Sequence, residues 1–281
     1  MTEQVTWYLE PIQQPDLDAR QQAEQRQLQL TKPTGALGDL ETTAIQLASL
    51  QGTVHPKIQQ PWITIFAGDH GVVEENISAY PQAVTRQMLQ NFASGGAAIS
   101  VIAKHHQAHL QVVDCGTVGD AYDYVGVERH CIRAGTANFA QQTAMTEQEC
   151  LAALELGKNS ADLAKAKDAD IFIAGEMGIG NTSPSSLWMH LLTNIPLKEC
   201  IGAGSGLNSE GLQHKYNILH VRKSGRNKYH NNPAKRKNKS KRTGFCNLCC
   251  NLWQSHRIQI SVLGNISWSY HYNKFQYQTK L

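Results

Sequence analysis

A doubly wound parallel α/β sheet is the fold this 281-residue sequence predicts, and three observations predict it. Short apolar, β-branched runs recur at residues 62–67, 110–113 and 171–174, the pattern of strands buried in a parallel sheet. Stretches with helical character, most of ten residues or more, separate them. A glycine-rich polar loop follows each run, and in open parallel sheets ligands collect beyond the carboxyl ends of the strands.

In chain order, residues 16–30 are rich in Gln, Arg, Ala and Leu and read as a surface helix stopped by Lys32-Pro33. Residues 38–50 read as a second, with Leu40, Ala44, Ile45, Leu47 and Ala48 near helical spacing. The first strand, residues 62–67, ends at Gly68-Asp69-His70-Gly71. Helices are expected over residues 82–91 and 97–104, and a second strand over 110–113, closed by Asp114-Cys115-Gly116-Thr117. A helix from about residue 147 to 165 precedes the third strand, Ile171-Phe172-Ile173-Ala174, bounded by Asp170 and Gly175. A loop at residues 202–206 and a helix from Ser209 complete the readable part. Four polar loops at one sheet edge would wall a single site.

The loop after the third strand carries the most chemistry. Gly175, Gly178 and Gly180 permit a sharp turn and close approach of a ligand to the backbone. Asn181, Thr182 and Ser183 supply helix-start chemistry, and the positive end of a helix opening there attracts an anion. The spacing is neither that of a P-loop nor that of a dinucleotide fingerprint. A purely structural strand-to-helix turn is the alternative. Glu176 inside such a loop would repel a phosphate, so it must serve sugar hydroxyls, stabilise positive charge on a ribose ring, or be satisfied by loop amides. Asp69 and His70 follow a strand directly, where a base, a hydroxyl contact or a plain turn cap would fit. The carboxylates just downstream, Glu74 and Glu75, have no second His beside them, which argues against a metal. Lys215 either reaches an anion as a point charge or is a solvated helix residue.

Charge is unevenly distributed. After Lys215 there are 13 Lys and Arg and no Asp or Glu, which leaves 13 basic and 23 acidic residues in the first 215. The first part is therefore about −10 and the last 66 residues +13. Seven cysteines without recurrent spacing, together with the start Met1-Thr2-Glu3-Gln4, are what a reduced, cytoplasmic chain without a leader shows. No apolar run reaches the roughly 18–20 residues of a membrane helix.

Several segments together resemble the nicotinate-nucleotide–dimethylbenzimidazole phosphoribosyltransferase family of cobalamin synthesis. They are Lys32-Pro33-Thr34-Gly35-Ala36-Leu37-Gly38-Asp39-Leu40-Glu41, Gly68-Asp69-His70-Gly71-Val72, Gly175-Glu176-Met177-Gly178-Ile179-Gly180-Asn181-Thr182-Ser183-Pro184, and residues 202–215. They stand in family order, and the resemblance runs from about residue 12 to residue 215. The resemblance implies transfer of phosphoribose from nicotinate mononucleotide to dimethylbenzimidazole. It also implies a Rossmann-like sheet, a small helical subdomain built from both chain ends, a homodimer, and no metal or organic cofactor.

Carried over, Gly175, Gly178, Ile179, Gly180, Asn181, Thr182 and Ser183 would hold the phosphate and ribose, with Glu176 beside the reacting sugar and Gly202, Gly204 and Lys215 completing the anion site. Asp69 joins the substrate-binding set, and Ser78, Tyr80, Gln87 and Met88 would line the benzimidazole pocket. The family's general base is a glutamate near the C-terminus, in a segment resembling Arg-Leu-Gly-Glu-Gly-Ser/Thr-Gly. No carboxylate side chain follows Glu210 here.

The resemblance stops between Tyr216 and Leu219. The expected organisation is a phosphoribosyltransferase-like α/β domain over residues 1–215 and a basic, non-homologous segment over 216–281, aberrant or disordered and read as out-of-frame translation of the C-terminal third. The activity is then impaired. Two other readings of that segment exist: a nucleic-acid patch at residues 235–242, KRKNKSKR, and a zinc site from Cys246, Cys249, Cys250 and His256. Neither has the organisation of a known module, so nucleic acid and membrane are not expected partners.

Overall fold

A computed structural model describes residues 7–227 apart from 12 and 194. The basic patch at 235–242 and the cysteine cluster at 246–256 lie outside the described residues. The chain divides into two units, Met1–Gln59 and Gln60–Leu281.

The first unit is a helical pair, α1 (Leu17–Gln29) and α2 (Asp39–Gln51). The Asp16 carboxylate caps α1 by accepting from the Ala19 N–H at 2.8 Å, satisfying one of the helix's orphan donors. Asp16 also locks the pair together: its N–H donates to the Ser49 carbonyl and the Ser49 hydroxyl donates to its carbonyl, both at 2.8 Å. Both helices match the sequence reading to within a residue or two.

The second unit is built on a sheet ordered β3-β2-β1-β4, from β1 (Pro61–Gly68), β2 (His109–Gly116), β3 (Glu128–Arg129) and β4 (Ile171–Met177). All its pairings are parallel. From β1 the chain proceeds outward through β2 to β3, then returns to place β4 on the other side of β1. The strand order therefore reverses between β1 and β4, the topological switch point at which such sheets open a crevice. The α/β class and the parallel sheet are as the sequence predicts.

Helices α3 (Ala83–Ala93), α4 (Ala98–His105), α5 (Glu147–Ala166), α6 (Thr182–Thr193), α7 (Leu197–Cys200) and α8 (Ser209–Asn227) complete this unit. Thr146 and Glu149 start α5 with a reciprocal capping box. The main core joins Ile63, Ile65 and Ala67 of β1 and Val112 of β2 to Leu89 and Phe92 of α3. A smaller cluster of Leu197, Ile201 and Leu219 joins α7 to α8.

Two expectations need correction. Residues 171–174 were expected to form a buried strand, yet no residue of β4 is buried, because among the described residues it pairs with β1 alone and forms the sheet edge. The strand is also longer than its apolar run. Gly175, Glu176 and Met177 pair with Ile65, Phe66 and Ala67, so Gly175 and Glu176 belong to the ladder and not to the turn. Backbone pairing with a buried neighbour overrides the loop propensity of Gly and Glu.

The carboxyl end of β2 is held by Asp114, whose side chain is fully buried. Its Oδ1 accepts from the Gly116 and Thr117 N–H groups at 2.9 and 2.8 Å, and its Oδ2 from the Thr117 and Tyr122 hydroxyls at 3.0 and 2.6 Å. The Arg86 guanidinium lies over the Tyr122 ring at 4.9 Å and donates to the Val118 carbonyl at 2.6 Å. Asn at position 114 presents an NH2 where the carboxylate presents its second acceptor, so one pair of donors loses its partner. Asp114→Asn is expected to destabilise the protein by about 2 kcal/mol. Denaturant unfolding checks this: the midpoint should fall with the slope unchanged, and an unmoved midpoint refutes it.

Candidate anion-binding site

The site forms at the switch point, where the ends of β1 and β4 meet the start of α6 and the side of α8. After β4 the chain turns through residues 178–181. Gly178 is pressed against the end of β1, where an added Cβ would stand 2.3 Å from the Gly68 carbonyl oxygen. Gly180 takes φ +92, a conformation that side chains resist. These two glycines make the turn; Gly175 serves the strand.

Within the turn, the Asn181 N–H donates to the Gly178 carbonyl at 3.1 Å and the Ser183 N–H to the Gly180 carbonyl at 2.9 Å. The Ile179 N–H donates to the Thr85 hydroxyl at 3.0 Å. The N–H groups of Gly180 and Thr182 make no hydrogen bond among the described residues, and they stand at the positive end of α6. Ser183 is fully buried, whereas Thr182 turns its hydroxyl toward the site.

Lys215 completes the arrangement from α8. It is 1% exposed, and its Nζ donates to the Thr182 Oγ1 at 2.6 Å and to the Gly202 carbonyl at 3.4 Å. Gly204, at φ +58, brings its backbone beside both groups; a Cβ there would lie 3.1 Å from the Thr182 Oγ1 and 3.9 Å from the Lys215 Nζ. Burial pulls the Lys215 ammonium down to about 8 from an ordinary value of 10.5. A buried cation with two neutral acceptors and, among the described residues, no carboxylate partner is electrostatically incomplete, a setting that an anion would complete.

Asp69 and His70 close the β1 side. Asp69 is 3% exposed; its Oδ2 accepts from the Val118 N–H at 2.8 Å, its N–H donates to the Gly116 carbonyl, and its own carbonyl accepts from Thr136. Desolvation raises its carboxyl, against which the Val118 amide and the Thr85 hydroxyl act. Desolvation lowers the His70 imidazole below its ordinary range. With the ring neutral, its Nε2–H is the donor to the Asn181 Oδ1. Glu176 is solvent-exposed on the edge strand, yet partial desolvation raises its carboxyl.

The structure thus brings together Asp69, Gly178, Ile179, Gly180, Asn181, Thr182, Gly202, Gly204 and Lys215. It does not join Ser78, Tyr80, Gln87 or Met88 to them by hydrogen bonds. Tyr80 and Gln87 are exposed, the Ser78 hydroxyl accepts from the Tyr80 N–H, and Met88 packs against the core of β1 and β2. Thr85, absent from the sequence-derived set, is the residue of this segment that reaches the loop. Among the described residues no three His, Cys, Asp or Glu gather in a group able to hold a metal ion. No helix among them is long and apolar enough to cross a membrane.

A family model described as phosphoribosyltransferase matches residues 12–236. The chain belongs to this family. Among relatives, the nicotinate-nucleotide–dimethylbenzimidazole phosphoribosyltransferase of Pseudomonas fluorescens (strain SBW25) is 52% identical over 214 residues, 76% of this chain and 61% of that protein. The enzyme of the same name from Pseudomonas putida KT2440 is 53% identical over 213 residues, again 76% and 61%. A crystal structure of the Thermus thermophilus phosphoribosyltransferase of that name superposes with a TM-score of 0.66 at 43% identity, covering 74% of this chain and 61% of that one. This phosphoribosyltransferase chain therefore spans about three fifths of the length of the relatives it matches.

Proposed function

We propose that the site binds the 5′-phosphate of nicotinate mononucleotide and that the chain carries the phosphoribose half of transfer to dimethylbenzimidazole, the reaction named for its relatives. The observation that carries this reading is the buried Lys215 ammonium on the Thr182 hydroxyl at the start of α6, where the Thr182 N–H makes no hydrogen bond among the described residues. Helix end and cation would converge on one anion, and among the described residues Lys215 has no charged partner.

Transfer needs little acid assistance, because nicotinate leaves as a neutral pyridine from a cationic glycoside. Positive charge grows on the sugar ring as the bond breaks, and the benzimidazole nitrogen attacks the anomeric carbon with inversion. Glu176, two residues before Gly178, stands on the β4 edge where it would face that charge. A base must then take the proton from the other benzimidazole nitrogen. No carboxylate follows Glu210 in this sequence, and on this reading turnover would be slow.

Calorimetric titration of the purified chain with nicotinate mononucleotide tests the reading. Saturable binding, with competition by inorganic phosphate, is expected. Binding absent at millimolar nucleotide refutes it.

A further inference from the structure

The entry to α3 grips the glycine turn at two points. The Gln82 Nε2 donates to the His70 carbonyl at 3.2 Å, and the His70 ring in turn holds the Asn181 side chain. Three residues on, Thr85, fully buried, receives the Ile179 N–H at 3.0 Å. Residues 179 and 181 flank Gly180, whose N–H makes no hydrogen bond among the described residues. Residues 82–85 thus hold both shoulders of the turn that presents it.

Neither tether can be replaced from within the turn. Gly178 abuts the Gly68 carbonyl, and the space behind Gly180 is filled, since a Cβ there would stand 2.9 Å from Val73 Cγ2 and 3.4 Å from Ile77 Cδ1. The turn is packed against Gly68 on one side and against Val73 and Ile77 on the other. The Thr85 hydroxyl has its own proton to donate, and Asp69, the carboxylate it acts upon, is fixed by the Val118 amide.

We propose that Thr85 is a positioning residue which, with Gln82 and His70, ties the entry of α3 to the anion-binding turn and holds that turn in the geometry that receives the anion. The identity of the anion, a nucleotide phosphate, rests on the function proposed above; the positioning itself rests on the tethers.

Thr85→Val removes the hydroxyl at nearly constant volume, and Thr85→Ser keeps it. Hydrogen exchange on the full chain without ligand is expected to show the Ile179 amide exchanging at least tenfold faster in Thr85→Val, with Thr85→Ser close to the parent. Gln82→Ala, from the exposed end of the same clamp, should loosen residues 180–182 in the same experiment if Thr85→Val does not fold. Unchanged exchange in the folded variants overturns the inference. The nicotinate mononucleotide dissociation constant is expected to rise about tenfold in Thr85→Val and to stay near the parent value in Thr85→Ser. A folded Thr85→Val that binds as the parent does overturns the positioning role. If the parent does not bind the nucleotide, the proposed function falls, while the exchange measurement still decides the clamp.

Discussion

Lys215→Met is expected to weaken nicotinate mononucleotide binding about a hundredfold while leaving the free protein as stable as before or more so. The two effects have one cause. Charge-assisted hydrogen bonds to a phosphate are worth roughly 1.5–3 kcal/mol each, and the loss of one at a site shielded from water accounts for the affinity. In the free protein the same ammonium is a burden, because water has been stripped from it and only the Thr182 hydroxyl and the Gly202 carbonyl replace that water. Methionine fills the volume without the charge.

The pH dependence follows from the same shift. Folding lowers the Lys215 value from 10.5 to about 8, so between those limits the unfolded chain binds more protons than the folded one. Stability is therefore penalised below pH 8 and recovers by up to about 3 kcal/mol as pH rises through this window. Affinity for the anion runs the other way: flat from pH 7 to 8, then falling about tenfold per unit above it as the ammonium is lost. Calorimetry across pH 7–10 checks both variants. Lys215→Met should lose the alkaline fall, and a retained slope would mean that another group holds the phosphate.

How much of this was legible in the sequence depends on the range over which each feature is encoded. Asp16 before the Leu17–Gln29 helix, and the apolar run within Pro61–Gly68, are local signals and were readable to within a residue or two. The parallel sheet followed from the alternation of such runs with helices. Gly175 and Glu176 were misplaced into the loop because the force that keeps them in β4 is pairing with Ile65 and Phe66, more than a hundred positions earlier. The two-residue β3 lacks any apolar run and owes its existence to a backbone match with Val113 and Asp114. Lys215 was ambiguous for a different reason. A lone lysine on a helix looks the same in sequence whether it meets solvent or is 1% exposed, and the difference lies in the loop residues Thr182 and Gly202 that receive it. Thr85 lay in a family-like segment but carried no signal of its own role, since its partner Ile179 is 94 positions away.

Nicotinate release by this chain, measured against the Pseudomonas fluorescens relative under identical conditions, is expected to be about 10²–10⁴-fold slower in kcat, with KM for nicotinate mononucleotide within about tenfold. The split separates two halves of the chemistry. On the proposed reading, ground-state binding of the nucleotide would depend on Lys215, the turn at 178–181 and the start of α6, all of which the described residues supply. On the same reading, removal of the benzimidazole proton would depend on a positioned base, which the resemblance puts in a C-terminal segment not found in this sequence, and no carboxylate follows Glu210. Attack leaves positive charge on the benzimidazole, and without a protein base that proton passes to buffer. The residual rate should therefore rise with the concentration of a small diffusible base such as imidazole, a response that an enzyme with its own base does not show. Glu176→Gln tests the remaining electrostatic contribution: removal of a carboxylate facing a cationic sugar should cost a further tenfold or more in kcat and little in KM. A parent rate equal to that of the relative, insensitive to added base, would show that another group on this chain accepts the proton.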